Sequence, residues 1–245
     1  MRHSRDIMGM PVSIEVIGDS GDAVQQAFSY FEYVDRTFST YKSDSEISRL
    51  NRGEITGEDL SADVREVLDL CDQTKTESSG YFDIRTPGGL IDPSGLVKGW
   101  AINNAAKLVH DLGFENYYVE AGGDIQTHGT NTEGKSWRIG IRNPFKHDEI
   151  VRVVEPRGRG IATSGAYERG QHIYDPHTGQ PAGNEIASIT VIGPDIYEAD
   201  RFATAAFAMG DKGIFFLEQM EGLDAYMIDS EGKETMTIGF AAFTV

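Results

Sequence analysis

The residues with the clearest chemical potential are a carboxylate and a hydroxyl four positions apart, Asp200 and Thr204, in the stretch "YEADRFATAAFAMG" at 197–210. Its apolar spacing predicts a helix, so the two side chains share a face one turn apart. Their oxygen atoms are hard donors, which suit Mg²⁺ or Ca²⁺ better than zinc or copper. On these residues alone a plainer interpretation is favoured, in which both lie on the flank of a half-buried helix.

A second candidate is the segment "IDPSGLVKGWA" at 91–101, which joins a turn to the start of a helix. Ser94 and Gly95 fall where unpaired backbone N–H groups would point outward, and Lys98 lies in the first turn, so the segment is able to bind phosphate. Its glycine spacing is not that of a Walker loop. An ordinary capped helix with a surface lysine explains these residues equally well.

The segment "EAGGDIQTHG" at 120–129 places Gly122, Gly123 and Asp124 at the end of a strand. Two residues without side chains allow a ligand or another backbone to approach closely. A tight turn explains the same residues equally well.

The segment richest in chemical groups is "ATSGAYERGQHIYDPHTGQPAG" at 162–183, which contains His172, Asp175 and Thr178. Its "DPHTG" portion is a turn sequence, since proline fixes φ and glycine accepts a positive φ. His172 and His177 have no adjoining ligands at zinc-site spacing, so the pattern argues against zinc. Ser164 is not set in a nucleophile elbow, which argues against a serine nucleophile.

The elements that would position these groups are helices and short strands that segregate along the chain. Helical periodicity and capping patterns, including Asp195 with Glu198 three residues later, predict helices over 22–39, 61–80, 96–113, 197–210 and 212–222. Alternation predicts a strand at 11–18 and several short strands between 116 and 193, followed by terminal strands at 224–232 and 235–243. Residues 39–57 read as a polar loop apart from a short turn. This order favours an α+β fold with mostly antiparallel or mixed sheets over a doubly wound sheet.

Composition excludes several classes of function. The 245 residues carry a formal net charge of −17, which argues against non-specific binding to nucleic acid or anionic membranes. A single cysteine, Cys71, cannot form an internal disulfide and is expected in the core of its helix. The sequence shows no apolar signal core, lipidation site or transmembrane run, so we expect a cytoplasmic protein without a membrane anchor.

Taken in order, these segments resemble the ApbE family of flavin transferases, which move FMN from FAD onto a protein hydroxyl. The resemblance rests on eight segments in the family's order: "MGMPVSIEV", "FSTYKSDSEISRLN", "GYFDI", "IDPSGLVKGWA", "EAGGDIQTHG", "WRIGIRNP", "IATSGAYERGQHIYDPHTGQP" and "ADRFATAAFAMG". It implies a single ApbE-like α+β domain over residues 1–245. One departure is length: only "RTPGGL" separates "FDI" from "IDPSG", where the family usually carries a longer insertion.

The resemblance implies a role for each matching residue. Asp200, Thr204 and a main-chain carbonyl, that of Gly95, would bind Mg²⁺. His172 and Asp175 are the candidate general bases, and Lys98 would stabilise developing charge. The residues expected at the FAD site are Met8, Tyr41, Tyr81, Phe82, Asp83, Asp92, Lys98, Gly122, Gly123, Asp124 and Ile173.

The activity implied is a Mg²⁺-dependent transfer of FMN from FAD to a threonine or serine hydroxyl of an acceptor flavoprotein, with release of AMP. FAD would then be a substrate and Mg²⁺ the cofactor. Two alternatives stay open at this stage. Water could replace the acceptor hydroxyl, which would make the protein an FAD pyrophosphatase, or the protein could bind FAD without turnover.

Overall fold

The fold is organised by one large antiparallel sheet. The computed structural model describes residues 1–165, 174–181 and 186–245. The strands within these residues are β1 Arg2–Ile7, β2 Met10–Val16, β3 Tyr117–Ala121, β4 Asp124–His128, β5 Ile139–Asn143, β6 Lys146–Val154, β7 Gly160–Gly165, β8 Tyr174–Asp175, β9 Gln180–Pro181, β10 Ile186–Gly193, β11 Asp224–Asp229 and β12 Glu234–Met236. Eight of them form the sheet β1-β2-β3-β4-β7-β10-β11-β12, in which every neighbouring pair is antiparallel.

The helices cover one face of this sheet. Their bounds are α1 Gly21–Phe38, α2 Glu46–Asn51, α3 Ala62–Glu77, α4 Ser94–Asp111, α5 Ile196–Ala208 and α6 Gly213–Glu218, with short 3₁₀ helices at Gly57–Asp59, Gly210–Lys212 and Ile238–Phe243. Helices α1, α4 and α5 carry many of the buried side chains that form the main apolar core with the sheet. Burial of this core supplies the hydrophobic free energy that holds α4 and α5 against the strands.

The sheet is buried on its other face as well. Val119 of β3 joins the main core, whereas its neighbour Tyr118 belongs to a second apolar cluster on the opposite side. Successive side chains of a strand point to opposite faces, so this alternation is what a two-sided sheet requires. The second cluster is completed by the hairpin β5–β6 and by Phe240, whose ring stacks on Tyr226 with centroids 5.6 Å apart.

The predicted fold class is confirmed: helices are segregated from a mostly antiparallel sheet in an α+β arrangement. Strand β1 and helix α2 are among the elements that were not predicted. Strand β1 has a polar, largely exposed sequence, which hides it from any search for apolar alternation. Helix α2 lies in the segment predicted to be a loop, and it begins where the Ser45 side chain accepts a hydrogen bond from the Ser48 N–H, 3.0 Å away.

The prediction of a strand over 235–243 is wrong for most of that range. Strand β12 ends at Met236, and the chain then forms the 3₁₀ helix Ile238–Phe243. Thr237 marks the change, because its N–H donates to the Ala225 carbonyl and its hydroxyl accepts from the Ala225 N–H, both at 2.9 Å. The turn allows Phe240 to be fully buried. Burial of one aromatic ring therefore outweighs the strand propensity of the segment.

The predicted capping box of α5 is only half formed. The Asp195 carboxylate accepts a hydrogen bond from the Glu198 N–H at 2.9 Å, as an N-cap should. The Glu198 carboxylate instead binds the guanidinium of Arg201, with contacts of 2.7 and 2.9 Å. Arg201 also pairs with Glu77, so this buried cation links α5 to α3.

Cys71 is on the buried side of α3, in the apolar core, as predicted, and burial raises the pKa of its thiol. Among the described residues, no helix combines the length and the apolar character that crossing a bilayer requires.

Candidate functional site

The site forms where the N-terminal half of α4 crosses α5. The Gly99 N–H donates a hydrogen bond of 2.7 Å to Oδ2 of Asp200. A Cβ at position 99 would lie 2.6 Å from the Asp200 Cβ and 2.9 Å from the Ile196 carbonyl oxygen, which is closer than real atoms approach. Glycine is therefore needed here, and the absence of its side chain brings the Asp200 carboxylate against the α4 backbone.

Thr204 lies one turn after Asp200 and points at the first turn of α4. Its Oγ1 lies 3.3 Å from the Gly95 carbonyl oxygen. A Cβ at position 95 would come within 3.3 Å of both the Thr204 methyl and the Phe82 ring, so the backbone at Gly95 is closely packed. The structure thus brings together a hydroxyl and a carbonyl oxygen, with the Asp200 carboxylate on the same helix face.

Lys98 lies on the same side of α4 and is held between two buried carboxylates. Its ammonium pairs with Asp124 and lies 3.0 Å from Oδ1 of Asp200. The side chains of Asp124 and Asp200 are 1% and 3% exposed, so each depends on this cation or on hydrogen bonds for charge compensation. Asp124 also accepts the Thr163 N–H at 2.9 Å, which fixes its carboxylate between β4 and β7.

An open cleft lies in front of these groups. In its described lining, three carboxylates, those of Asp83, Asp92 and Asp200, face one ammonium group, that of Lys98. The walls are formed by residues that include Tyr81, Phe82, Gly95, Gly122, Thr163, Ser164, Tyr174 and Thr204. Burial, together with the charges of Asp83 and Asp92, raises the pKa of the Tyr174 phenol, which therefore stays neutral. An anion entering this cleft needs additional positive charge.

The loop that carries Asp92 is fixed by Asn51 at the end of α2. The Asn51 side chain accepts the Ile91 N–H and donates to the Ile91 carbonyl, each at 2.8 Å. Asp92 in turn accepts the Ser94 N–H at 3.0 Å, which ties its carboxylate to the first residue of α4. One of the two backbone groups expected to face outward, the Ser94 N–H, is therefore already bound.

The remaining predicted flavin-site residues divide between neighbouring hollows. Met8, in a left-handed conformation with φ of 57°, and Tyr41, which is 98% exposed, line a second hollow that shares Asp92, Ser94 and Lys98 with the first. Asp83 is held by Lys75, 2.6 Å away, at the rim of the first cleft. An extended ligand could therefore reach from one hollow to the other across Lys98.

Gly122 and Gly123 form the two-residue turn between β3 and β4, with φ values of 58° and 89°. Positive φ at both positions is the requirement of a type I′ hairpin, so the tight-turn interpretation holds for these glycines. Gly122 nevertheless lines the cleft, and both glycines border a further hollow beside Asp124. The turn places Asp124 at the start of β4, within reach of Lys98.

Two of the predicted residues, His172 and Ile173, lie outside the described residues. Asp175 is described, and its carboxylate accepts the His177 N–H at 2.9 Å, while its carbonyl accepts the Gly179 N–H at 2.8 Å. These bonds organise the predicted "DPHTG" turn, beside which Tyr81 meets the His177 ring edge-on at 4.6 Å. The neighbours of Asp175, Tyr174 and Pro176, line the cleft. The predicted role of Asp175 as a base stays a prediction.

Sequence reasoning did not single out four residues that hold the site: Asn51, Gly99, Thr163 and Tyr174. The sequence carries only weak signals for the roles of these four residues. Gly99 is a glycine inside a predicted helix, which usually has a packing reason when the helix is otherwise regular. The roles of Asn51 and Thr163 depend on partners 40 and 39 residues away, which no local pattern reveals.

Comparison with known proteins shows which family the chain resembles. The sequence profile of the ApbE family matches residues 8–90 and 85–227. The chain is 34% identical to the FAD:protein FMN transferase of Escherichia coli strain K12 over 177 residues, which is 67% of this chain and 50% of that protein. It is also 28% identical to the FAD:protein FMN transferase of Haemophilus influenzae, with 86% of this chain and 79% of that protein covered.

The fold agrees with a solved structure over nearly its whole length. The flavin transferase ApbE from Vibrio cholerae superposes with a TM-score of 0.87 at 26% identity, covering 99% of this chain and 98% of that chain. The aligned stretch spans about half the length of the Escherichia coli protein. Since the family profile matches well over half of the residues and that relative aligns over two thirds of them, the chain belongs to the ApbE family.

Proposed function

We propose that this protein transfers FMN from FAD to a threonine or serine hydroxyl of an acceptor protein and releases AMP, in a reaction that requires Mg²⁺. The observation that carries the proposal is the junction of α4 and α5, where Asp200, Thr204 and the Gly95 carbonyl present oxygen donors beside Lys98. Support comes from the relatives, two of which are named FAD:protein FMN transferase.

The donor set suits Mg²⁺. A carboxylate, a hydroxyl and a main-chain carbonyl are all hard oxygen ligands, and Mg²⁺ is commonly held by few protein ligands while phosphates and water complete its shell. The charge of the cleft agrees, because a pyrophosphate would otherwise face Asp83, Asp92 and Asp200 with Lys98 as the one described cation in the lining. When bound, Mg²⁺ would neutralise charge on the pyrophosphate oxygens.

The residues of the chain would position the substrate and balance charge. Lys98, held by Asp124 and Asp200, can direct its ammonium at a phosphate oxygen without losing its place in the structure. Tyr81, Phe82 and Tyr174 offer aromatic walls on one side of the cleft, where a flavin or adenine ring would pack. The two hollows that meet at Lys98 would then take the two halves of FAD.

In the proposed reaction the acceptor hydroxyl oxygen forms a bond to the phosphorus on the FMN side. The bond from that phosphorus to the bridging oxygen breaks, and AMP leaves with the bridging oxygen. The hydroxyl proton passes to a base, for which His172 and Asp175 are our candidates. The products are a phosphoester-linked FMN on the acceptor and free AMP.

The test is to incubate the protein with FAD and MgCl₂, with and without a protein extract of the source cells. We expect AMP release that depends on both Mg²⁺ and the extract, and one or more extract proteins that fluoresce as flavoproteins after denaturing electrophoresis. AMP release without any acceptor would instead identify an FAD pyrophosphatase. FAD binding without AMP in either reaction would identify a non-catalytic flavin-binding protein.

A further inference from the structure

A second set of metal-binding side chains lies at the opposite end of α4. His110 is in the last turn of α4, Glu115 follows in the connection to β3, and His128 ends β4. Each offers one ligand atom, and these atoms all lie within 4.8 Å of one another. Among the described residues this is the one group of three His, Cys, Asp or Glu side chains that converges so closely. The carboxylate of Glu115 is central, 3.8 Å from Nδ1 of His110 and 3.7 Å from Nδ1 of His128.

The orientation of His128 is fixed in a way that favours metal binding. Its Nδ1 lies 2.7 Å from the Glu115 carbonyl oxygen, a contact that requires a proton on Nδ1. Because Nδ1 carries this proton, Nε2 is the His128 nitrogen that can bind a metal, and the Nδ1 contact shows only how close the ring lies to Glu115. Tyr117 stacks on the same ring with centroids 5.5 Å apart and restricts its rotation. This preorganisation is an observation independent of the clustering.

The surroundings favour a cation. The C-terminal end of a helix carries a partial negative charge, and α4 ends at Asp111, beside His110. The side chains of His110 and His128 are 44% and 42% exposed, so an ion could reach them from solvent without opening the fold.

We infer that His110, Glu115 and His128 form a binding site for a divalent transition-metal ion of the zinc class, separate from the Mg²⁺ site. Two imidazole nitrogens with one carboxylate oxygen suit Zn²⁺, Co²⁺ or Ni²⁺ and suit Mg²⁺ poorly. The two sites differ in place as well. Gly95 and His110 are 15 residues apart on one helix, which corresponds to about 22 Å along its axis. The inference does not depend on the proposed function.

The experiment titrates the full chain with Zn²⁺ by calorimetry in the presence of excess MgCl₂, and records the visible spectrum with Co²⁺. We expect one tightly bound equivalent of Zn²⁺, and a Co²⁺ spectrum of a nitrogen- and oxygen-ligated ion. We expect a loss of more than about tenfold in Zn²⁺ affinity in each of three variants, His110→Asn, Glu115→Gln and His128→Asn. Loss of a residue that only supports a metal ligand already costs about tenfold or more.

Two controls separate this site from other histidines and from the catalytic cleft. His3→Asn removes an exposed histidine on β1 and should leave Zn²⁺ binding unchanged. Asp200→Asn should leave it unchanged as well. Absence of stoichiometric Zn²⁺ binding would overturn the inference, as would wild-type affinity in the His110→Asn and His128→Asn variants. Loss of the bound equivalent in Asp200→Asn would assign the ion to the cleft and would likewise overturn it.

Discussion

The two ends of helix α4 are built on opposite principles. At the N-terminal end, Lys98 is half-buried and Asp200 is buried, and oxygen atoms and the backbone of a neighbouring helix surround them. At the C-terminal end, His110 and Glu115 are exposed, and nitrogen donors predominate. The buried end depends on the contact between Gly99 and Asp200, which are 101 residues apart in the sequence. The exposed end depends on the pairing of two consecutive strands, β3 and β4. A site of the first kind should tolerate almost no change, and one of the second kind should tolerate most.

The largest effect should come from Asp200→Asn. Asparagine can still accept the Gly99 N–H through its amide oxygen, so the variant removes charge with little change of shape. Loss of the one carboxylate among the proposed Mg²⁺ ligands should lower Mg²⁺-dependent AMP release by about 100-fold or more. The measurement is AMP released from FAD by chromatography, with Asp211→Asn, an exposed carboxylate just after α5, as the matched control. Activity equal to that of the control would remove Asp200 from the metal site.

The next largest effect should be on stability, from a substitution that changes packing rather than charge. Gly99→Ala places a methyl group against the Asp200 Cβ and the Ile196 carbonyl, so α4 and α5 must separate. We expect a loss of about 1–3 kcal/mol in the free energy of unfolding, as overpacked cores show. Urea unfolding measures it. Gly21→Ala at the start of α1 is the control, because a Cβ there meets no atom of the described residues within 4 Å. An equal change in both variants would show that the helix crossing is not tight.

A smaller effect should follow from Thr204→Val, which keeps the shape of the side chain but removes the hydroxyl. The Mg²⁺ concentration for half-maximal AMP release should rise about tenfold, equivalent to about 1.4 kcal/mol. Thr204→Ser retains the hydroxyl near the Gly95 carbonyl and should behave like the unmodified protein. If valine and serine give the same Mg²⁺ dependence, Thr204 serves only in packing.

The smallest effect should be seen at the other end of α4. Without added metal, His110→Asn should change the free energy of unfolding by less than about 0.5 kcal/mol, because the side chain is exposed and makes no buried hydrogen bond to another described residue. Thermal unfolding in a chelating buffer measures it. With Zn²⁺ present the unmodified protein should gain stability that the variant lacks, since a ligand that binds only the folded state stabilises it. A large loss in the chelating buffer would contradict the contrast between the two ends.

The sequence predicts properties that are local to one helix, but not contacts between residues that are far apart in the chain. The shared face of Asp200 and Thr204 is a local property of a helix, and their spacing alone predicts it. The contact of Thr204 with Gly95 spans 109 residues, and only the resemblance to a known family suggested it. Gly99 was overlooked because the need for a glycine inside a helix becomes evident only when the element packed against it is known.

The histidines show a different limit. Spacing within a motif was the criterion for a zinc site, and it was applied to His172 and His177, which lie five residues apart. His110 and His128 are brought together by the antiparallel pairing of β3 and β4, where Tyr117 faces His128. Ligands contributed by a helix end, a loop and a strand end leave no short pattern in the sequence. The strand predicted over 235–243 failed for a related reason, because a partner for Phe240 is found only in the folded sheet.

The two hydrogen bonds between the Asn51 side chain and the Ile91 backbone have a consequence for how the length of the preceding segment can vary. One side-chain amide satisfies both backbone groups of Ile91, much as a neighbouring strand would, and Asp92 follows directly. The hairpin before it, residues 85–91, closes on itself through the Arg85–Ile91 bridge and exposes Leu90. Residues inside such a closed hairpin can be inserted or deleted without moving what lies beyond its base. The short "RTPGGL" of this chain could thus be exchanged for a longer segment while Asp92 keeps its position.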